Sequence, residues 1–134
     1  MKVTAAEPVA ERSTCTRARV FAGCPESVAV ARAWVAGFVP GSPAAGDAAL
    51  LTSELFTNAI VHSASRFPGG QVTVSVRTGG GIVRVDVTDE GALPPCFPRC
   101  PGLGQGLALV AALADVFGAD GADRWFALRT GGAR

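Results

Sequence analysis

Two runs of alternating apolar and polar residues, separated by three glycines, constrain the fold of this chain more than any other feature. The first run includes Val72, Val74 and Val76, and the second extends from Ile82 to Thr88. A period of two places every second side chain on one face, so each run predicts a half-buried β-strand. Because the glycines between them favour a tight turn, we expect the two strands to pair as an antiparallel hairpin.

The rest of the chain divides into helical and extended patterns. Their order, β-α-α-β-β-α-β, does not alternate as in a Rossmann domain. It predicts an α+β fold, a two-layer α/β sandwich in which a mixed, mainly antiparallel sheet is covered on one face by three helices. The predicted helices cover residues 25–39, 47–62 and 105–117, and the outer strands cover residues 16–21 and 124–129.

Chain length and net charge limit the number of domains and the kinds of partner that we expect. A chain of 134 residues predicts one domain, here residues 15–130, after a flexible tail at residues 1–14. The 12 basic residues nearly balance the 11 acidic ones, so nothing favours direct contact with nucleic acid or an anionic membrane. With no signal peptide and no apolar run long enough to cross a bilayer, we expect a cytoplasmic protein.

The second predicted helix, with Asp47 as its expected cap, carries two polar side chains among apolar ones. On a helical wheel Glu54 and Asn58 lie one turn apart, flanked by residues that should face a core. One interpretation is structural, with Glu54 reaching water and Asn58 bonding a loop. The other is that both line a cavity, where an amide oxygen suits Mg²⁺ and a carboxylate can accept a proton.

A second candidate group follows the predicted hairpin. Asp89 comes directly after the alternating run, so its carboxylate is placed to accept hydrogen bonds from an amino group in the same cavity. Gly91 would let a flat ring approach the backbone. The alternative is an ordinary Asp-Glu-Gly turn at the end of a strand.

A glycine-rich stretch precedes the third predicted helix. Convergent backbone N–H groups and the positive end of a helix favour phosphate oxygens, although this stretch lacks the Lys-Ser/Thr of a P-loop. The candidate residues are Gly102, Leu103, Gly104, Gln105 and Gly106.

These three groups, taken in order, resemble the motifs of the GHKL (Bergerat) ATP-binding fold. The stretches LLTSELFTNAIVH and GLGQGLALVAALAD are similar to the small stand-alone branch of that superfamily, the bacterial anti-sigma-factor serine kinases. The resemblance covers residues 17–129. It implies ATP and Mg²⁺ as ligands, a sigma factor or an anti-anti-sigma-like protein as partner, and a homodimer.

The resemblance also implies a role for each motif residue. Asn58 would bind Mg²⁺, Glu54 would activate a protein serine hydroxyl, and Asp89 would bind the adenine amino group beside Gly91. The glycine-rich stretch 102–106 would hold the phosphates, under a lid formed by residues 92–101. His62 occupies a position where this branch often has histidine, but we interpret it as structural.

Two features depart from the family pattern. Relatives usually enter the last strand through a Gly-x-Thr-like segment whose hydroxyl helps to hold adenine, whereas this chain has Gly121-Ala-Asp-Arg124. The predicted lid is short and rich in proline. An ATP-binding module that acts only by nucleotide-gated association therefore stays an alternative to the kinase.

The cysteines offer a third alternative. Four cysteines in a chain with no export signal predict free thiols rather than a disulfide framework. Cys96 and Cys100, both in the predicted lid, would be the centre of a redox or metal sensor.

Overall fold

The computed structural model describes residues 14–91 and 104–131. Of the predicted tail, only Thr14 lies in these ranges. Within them the chain forms five strands and three helices, with a short 3₁₀ turn, Ala64–Arg66, after the second helix. In chain order the elements are β1 (Cys15–Ala22), α1 (Glu26–Ala36), α2 (Ala45–His62), β2 (Gln71–Gly79), β3 (Ile82–Thr88), α3 (Gly104–Leu113), β4 (Val116–Asp120) and β5 (Asp123–Arg129).

The strands form one sheet in the order β1-β2-β3-β5-β4. The predicted α+β class is confirmed, and every strand pair within the described ranges is antiparallel. The predicted hairpin is confirmed as well, with Gly79 paired to Ile82. Gly80 and Gly81 have φ values of 62° and 79°, the left-handed pair that this two-residue turn requires.

The segment after α3 differs from the prediction. α3 ends at Leu113, earlier than expected, and Val116–Asp120 forms the edge strand β4 beside β5. Gly118 pairs with Trp125, and a Cβ atom there would lie 2.7 Å from the indole ring. Gly121, with a φ of 61°, then turns the chain into β5. Gly118 and Gly121, which lie just beyond the predicted helix end at residue 117, thus belong to a second hairpin.

The first two helices are confirmed with shifted ends. α1 ends at Ala36, before the predicted boundary. α2 begins at Ala45, so Asp47 lies inside its first turn and is not the cap. There its negative charge still interacts favourably with the positive end of the helix dipole. The hydroxyl of Ser42 accepts the N–H of Ala44 at 3.0 Å just before the helix.

One face of the sheet packs against the helices. Its side chains join core residues of all three helices in a single cluster. We call the opposite side the open face; it carries Ser75, Asp86 and Trp125 at the alternate positions. The most buried of the helix-facing strand residues, all 2% exposed or less, are Val72, Val74, Val76, Val83, Val85, Val87, Phe126 and Leu128.

Two buried serines join the end of α2 to the sheet, an arrangement that we call the Ser65 junction. The Ser63 hydroxyl donates to the carbonyl of Ala59 at 2.6 Å and accepts the N–H of Ser65 at 3.0 Å. The Ser65 hydroxyl donates to the carbonyl of Gln71 at 2.7 Å and accepts the N–H of Glu90 at 3.0 Å. The two buried hydroxyls together therefore link α2, β2 and the segment after β3.

Two glycines let the backbone approach the Ser65 junction closely. A Cβ atom on Gly23 or Gly70 would overlap the carbonyl oxygen of Ser65. The N–H of Gly23 donates to the carbonyl of Gly70 at 2.9 Å, and that of Ala64 donates to the carbonyl of Gly91 at 3.0 Å. The junction is therefore closed by backbone contacts that no larger residue could make.

The open face carries a pair of carboxyl groups. Arg84 donates to Asp86 at 2.8 and 3.0 Å and stacks over Trp125, 4.0 Å from the ring centre. Burial raises the pKa of Asp123 to about 6, helped by its hydrogen bond to Asp86 and the charge of that group. Burial would also raise the pKa of Asp86, but hydrogen bonds from Arg84 and Asp123 outweigh it and lower that pKa.

The close backbone contacts at the Ser65 junction predict that a methyl group added at Gly70 destabilises the fold. Gly70→Ala should lower the free energy of unfolding by about 3 kcal/mol, because the added Cβ meets the Ser65 backbone, which cannot move alone. Gly46→Ala is the matched control, since Gly46 lies in α2 with open space around it. Chemical denaturation measures both. Equal stability of the two variants would contradict this description of the junction.

The carboxyl pair predicts a pH-dependent stability. The folded-state pKa of Asp123 is about 6, above its ordinary value of 3.8, so its stabilising contribution is lost as pH rises through 6. Asp123→Asn should therefore melt a few degrees above the unmodified protein at pH 8, with a smaller difference at pH 5. Asp120→Asn, at the other end of the same turn, is the control. A difference that does not change with pH would contradict the raised pKa of Asp123.

Candidate functional site

α2 presents two polar side chains towards the end of the sheet. Asn58 and His62 are one helical turn apart and half-buried, on the side of the helix that also carries Leu55 and Ala59. They line a cavity of about 70 Å³. We call this the polar cavity; its lining residues are Leu55, Asn58, Ala59, His62, Val87, Asp89 and Arg124.

Asp89 enters the polar cavity from the end of β3. Its N–H donates to the carbonyl of Ala122 at 3.0 Å, which holds it against the β4–β5 turn. Its Oδ1 accepts the N–H of Gly91 at 2.7 Å. Since the carbonyl of Gly91 in turn accepts the N–H of Ala64, the loop that carries the carboxylate is fixed to both neighbouring elements.

Opposing influences act on the carboxylate of Asp89, and their net effect is a raised pKa. Burial raises its pKa above the ordinary value of 3.8, while the Gly91 N–H and the positive charge of Arg124 act in the opposite direction, and Glu90 adds to the rise. Arg124 thus lies close enough to offset part of the effect of burial on Asp89. Both residues line the same small cavity.

Arg124 also borders a second cavity. Its Nη1 donates to the carbonyl of Gly121 at 2.7 Å and to that of Asp123 at 3.3 Å, which ties the side chain to the β4–β5 turn. The second space, about 170 Å³, shares Leu55 and Arg124 with the polar cavity. We call it the apolar cavity; its lining residues are Leu55, Val110, Phe117, Gly118, Ala119, Arg124 and Trp125.

The structure brings some of the predicted site residues together. Asn58 and Asp89, from a helix and a loop far apart in sequence, lie on the walls of one cavity. Gly91 lies beside Asp89 with a φ of 96°, a conformation that favours glycine. The structure thus gives the positions of these residues, while their roles stay predictions.

Other predicted residues lie elsewhere. Glu54 is half-buried on α2, does not line the polar cavity, and makes no hydrogen bond or ion pair within the described ranges. The backbone of Gly104, Gln105 and Gly106 forms the first turn of α3. Gly102 and Leu103, the predicted lid and its cysteines, Cys96 and Cys100, lie outside the described residues.

Two polar residues of the polar cavity were not assigned to the site from the sequence. His62 falls on the inner arc of the helical wheel, but we interpreted it as structural. Arg124 belongs to the segment that departs from the family pattern. Its pairing with the buried Val87 places it on the helix-facing side of the sheet. The alternation of β5, in which Phe126 and Leu128 are buried, could have revealed this position.

Larger cavities exist, but fewer ionisable side chains line them. One of about 480 Å³ lies between residues 20–24 and 67–71, and its only ionisable side chain is the thiol of Cys24. Another, of about 580 Å³, is lined by residues 38–43, 78–82 and Thr130, none of which is charged. The polar cavity is smaller but collects a carboxylate, an amide, an imidazole and a guanidinium.

Two kinds of feature are missing from the described part of the chain. No cluster of three or more His, Cys, Asp or Glu side chains is placed there to hold a metal ion. Across residues 14–91 and 104–131, no helix is both long and apolar enough to cross a bilayer.

Comparison with known proteins identifies the family. The sequence profile of the histidine kinase-like ATPase domain matches residues 21–124. Anti-sigma F factors from Geobacillus stearothermophilus and Geobacillus kaustophilus are each 32% identical to this chain over 110 residues, which cover 71% of this chain and 75% of theirs. The protein of the same name from Geobacillus thermodenitrificans is 33% identical over the same shares. This chain therefore belongs to the family of histidine kinase-like ATPase domains.

Proposed function

We propose that this chain is an ATP-binding regulator of the anti-sigma type, which uses Mg²⁺ and ATP to phosphorylate a serine or threonine of a protein antagonist. The polar cavity carries the proposal, because it joins Asn58 and Asp89 in a chain of an ATPase-domain family. The name of the relatives, anti-sigma F factor, supports a sigma factor or its antagonist as the partner. Transcription would then be regulated by partner switching.

Asp89 is the proposed acceptor for the amino group of adenine. Its Oδ1 already accepts the N–H of Gly91, whereas its Oδ2 makes no hydrogen bond within the described ranges. One carboxylate oxygen is therefore available, and the Gly91 bond holds it in place. The absence of a side chain at Gly91 leaves room for the plane of a base.

Asn58 is the proposed metal ligand. Its amide is half-buried, lines the polar cavity and has no hydrogen bond to a described residue, so its oxygen is free to bind a hard cation. When bound, Mg²⁺ would neutralise charge on the phosphates. The backbone N–H groups at the start of α3, from Gly104 to Gly106, would bind phosphate oxygens, together with Gly102 and Leu103.

Glu54 is the proposed general base. It precedes Asn58 by one turn of α2, so the two side chains are neighbours on the helix surface. In this role it would orient the acceptor hydroxyl and take its proton as the phosphoryl group is transferred. The rest of the site positions groups, and no covalent intermediate with the protein is needed.

A second candidate function is an ATP-gated binding module without phosphoryl transfer. The position of Glu54 favours it, because that side chain does not line the cavity that contains Asn58 and Asp89. A module of this kind would need the cavity and the partner surface, but not Glu54.

Nucleotide binding is tested by thermal melting. With Mg²⁺ and ATP at about 100 times Kd, binding contributes about 2.7 kcal/mol, and the melting temperature should rise by several degrees. Asp89→Asn should abolish that rise without lowering the melting temperature of the nucleotide-free protein, because the variant removes a half-buried charge. Glu90→Gln is the neighbouring control and should keep the rise. The proposal is wrong if ATP leaves the melting temperature of the unmodified protein unchanged.

Phosphoryl transfer is tested with radiolabelled ATP and a candidate antagonist. Glu54→Gln should slow transfer by at least about 100-fold, because a general base typically contributes that much, while ATP affinity stays nearly unchanged. Glu26→Gln, on α1, should transfer at the normal rate. If the unmodified protein binds both ATP and the antagonist but transfers no label, the binding module replaces the kinase.

A further inference from the structure

We propose that Arg124 recognises the adenine base. Its guanidinium would donate a hydrogen bond to a ring nitrogen next to the adenine amino group, while Asp89 accepts a hydrogen bond from that amino group. The inference rests on the proposed ATP site and adds a specificity-determining residue to it. Arg124 and Asp89 line the same cavity, and the two groups offer complementary hydrogen-bonding chemistry.

The position of Arg124 follows from the sheet. It pairs with Val87, whose buried side chain lines the polar cavity, so Arg124 projects from the same side of the sheet. It also forms a common wall, with Leu55, between the polar and apolar cavities. A planar ring that extends from one cavity into the other would therefore contact Arg124.

Arg124 is anchored but keeps donors available. Its Nη1 is taken by the carbonyls of Gly121 and Asp123, which fix the guanidinium to the β4–β5 turn. Nε and Nη2 make no hydrogen bond to residues in the described ranges, and arginine offers five N–H donors in a rigid plane. The turn therefore orients the donors before any ligand binds. The effect of its charge on the pKa of Asp89 agrees with this proximity.

The two groups together select one kind of purine edge. Adenine presents an amino donor next to a ring-nitrogen acceptor, which matches a carboxylate oxygen beside an N–H. An arginine alone would favour the two acceptors of guanine. Asp89 prevents this, because in the same orientation a 6-keto purine would direct its oxygen at the carboxylate. The pair therefore favours 6-amino purines over 6-keto purines.

The test compares nucleotide analogues by calorimetric titration. The unmodified protein should bind ITP at least about tenfold more weakly than ATP, since the charge-assisted hydrogen bond from the amino group to Asp89 is lost and the 6-keto oxygen faces the carboxylate. It should also bind either 1-deaza-ATP or 7-deaza-ATP about tenfold more weakly, because one of these analogues lacks the ring nitrogen that Arg124 contacts. Equal affinity for ATP and both deaza analogues would overturn the inference, whatever any variant does.

Variants identify the donor. Arg124→Met keeps a similar stem and removes the donors, so it should weaken ATP binding about tenfold and erase the difference between ATP and the sensitive deaza analogue. Arg129→Met, further along β5, should retain that difference. A deaza penalty that persists in Arg124→Met, or an equal loss of affinity for every nucleotide, would overturn the role of Arg124. Absence of ATP binding by the unmodified protein would instead contradict the proposed function.

Discussion

The hydroxyl of Ser65 holds together the three segments on which the candidate site depends. It donates to the first residue of β2 and accepts from Glu90, while Ser63 ties the same turn to the end of α2. α2 carries Asn58 and the segment after β3 carries Asp89. Because a buried hydroxyl that loses its partners is costly, these bonds fix the separation of the two site residues.

The opposite wall of the site is supplied by the β4–β5 hairpin. Its turn receives the N–H of Asp89 at Ala122 and binds the guanidinium of Arg124 at Gly121. The carboxylate and the guanidinium are thus held by the same few residues, so their relative orientation is set by the hairpin. Such rigid support is what a binding site needs in order to select a ligand by hydrogen-bond geometry.

Much of the fold was predictable from local patterns. The hairpin of β2 and β3 followed from alternation and paired glycines, and α2 from helical spacing. β4 was not predicted, because Gly118 resembles a helix terminator until Trp125 is seen to occupy the space beside it. The Ser65 junction had no local signal either, since its bonds join residues that only the fold brings together.

For the candidate site, only the placement of some residues can be compared with the prediction. Asn58 and Asp89 were expected to share a cavity, and their motifs lie on elements whose ends meet in the fold. The helical wheel placed Glu54 near Asn58. A wheel cannot show which residues of a helix border a cavity, and Glu54 does not line the polar cavity. Arg124 was missed because sequence marks it only as a departure from a family pattern, and its orientation depends on strand pairing.

Backbone amide NMR during a titration with Mg²⁺ and ATP tests the proposed position of the nucleotide in the polar cavity. We expect the largest chemical-shift changes at Asn58, Gly91 and Arg124, with small changes in the 480 Å³ cavity near Cys24. Changes centred on residues 20–24 and 67–71, or no saturable change at all, would contradict it.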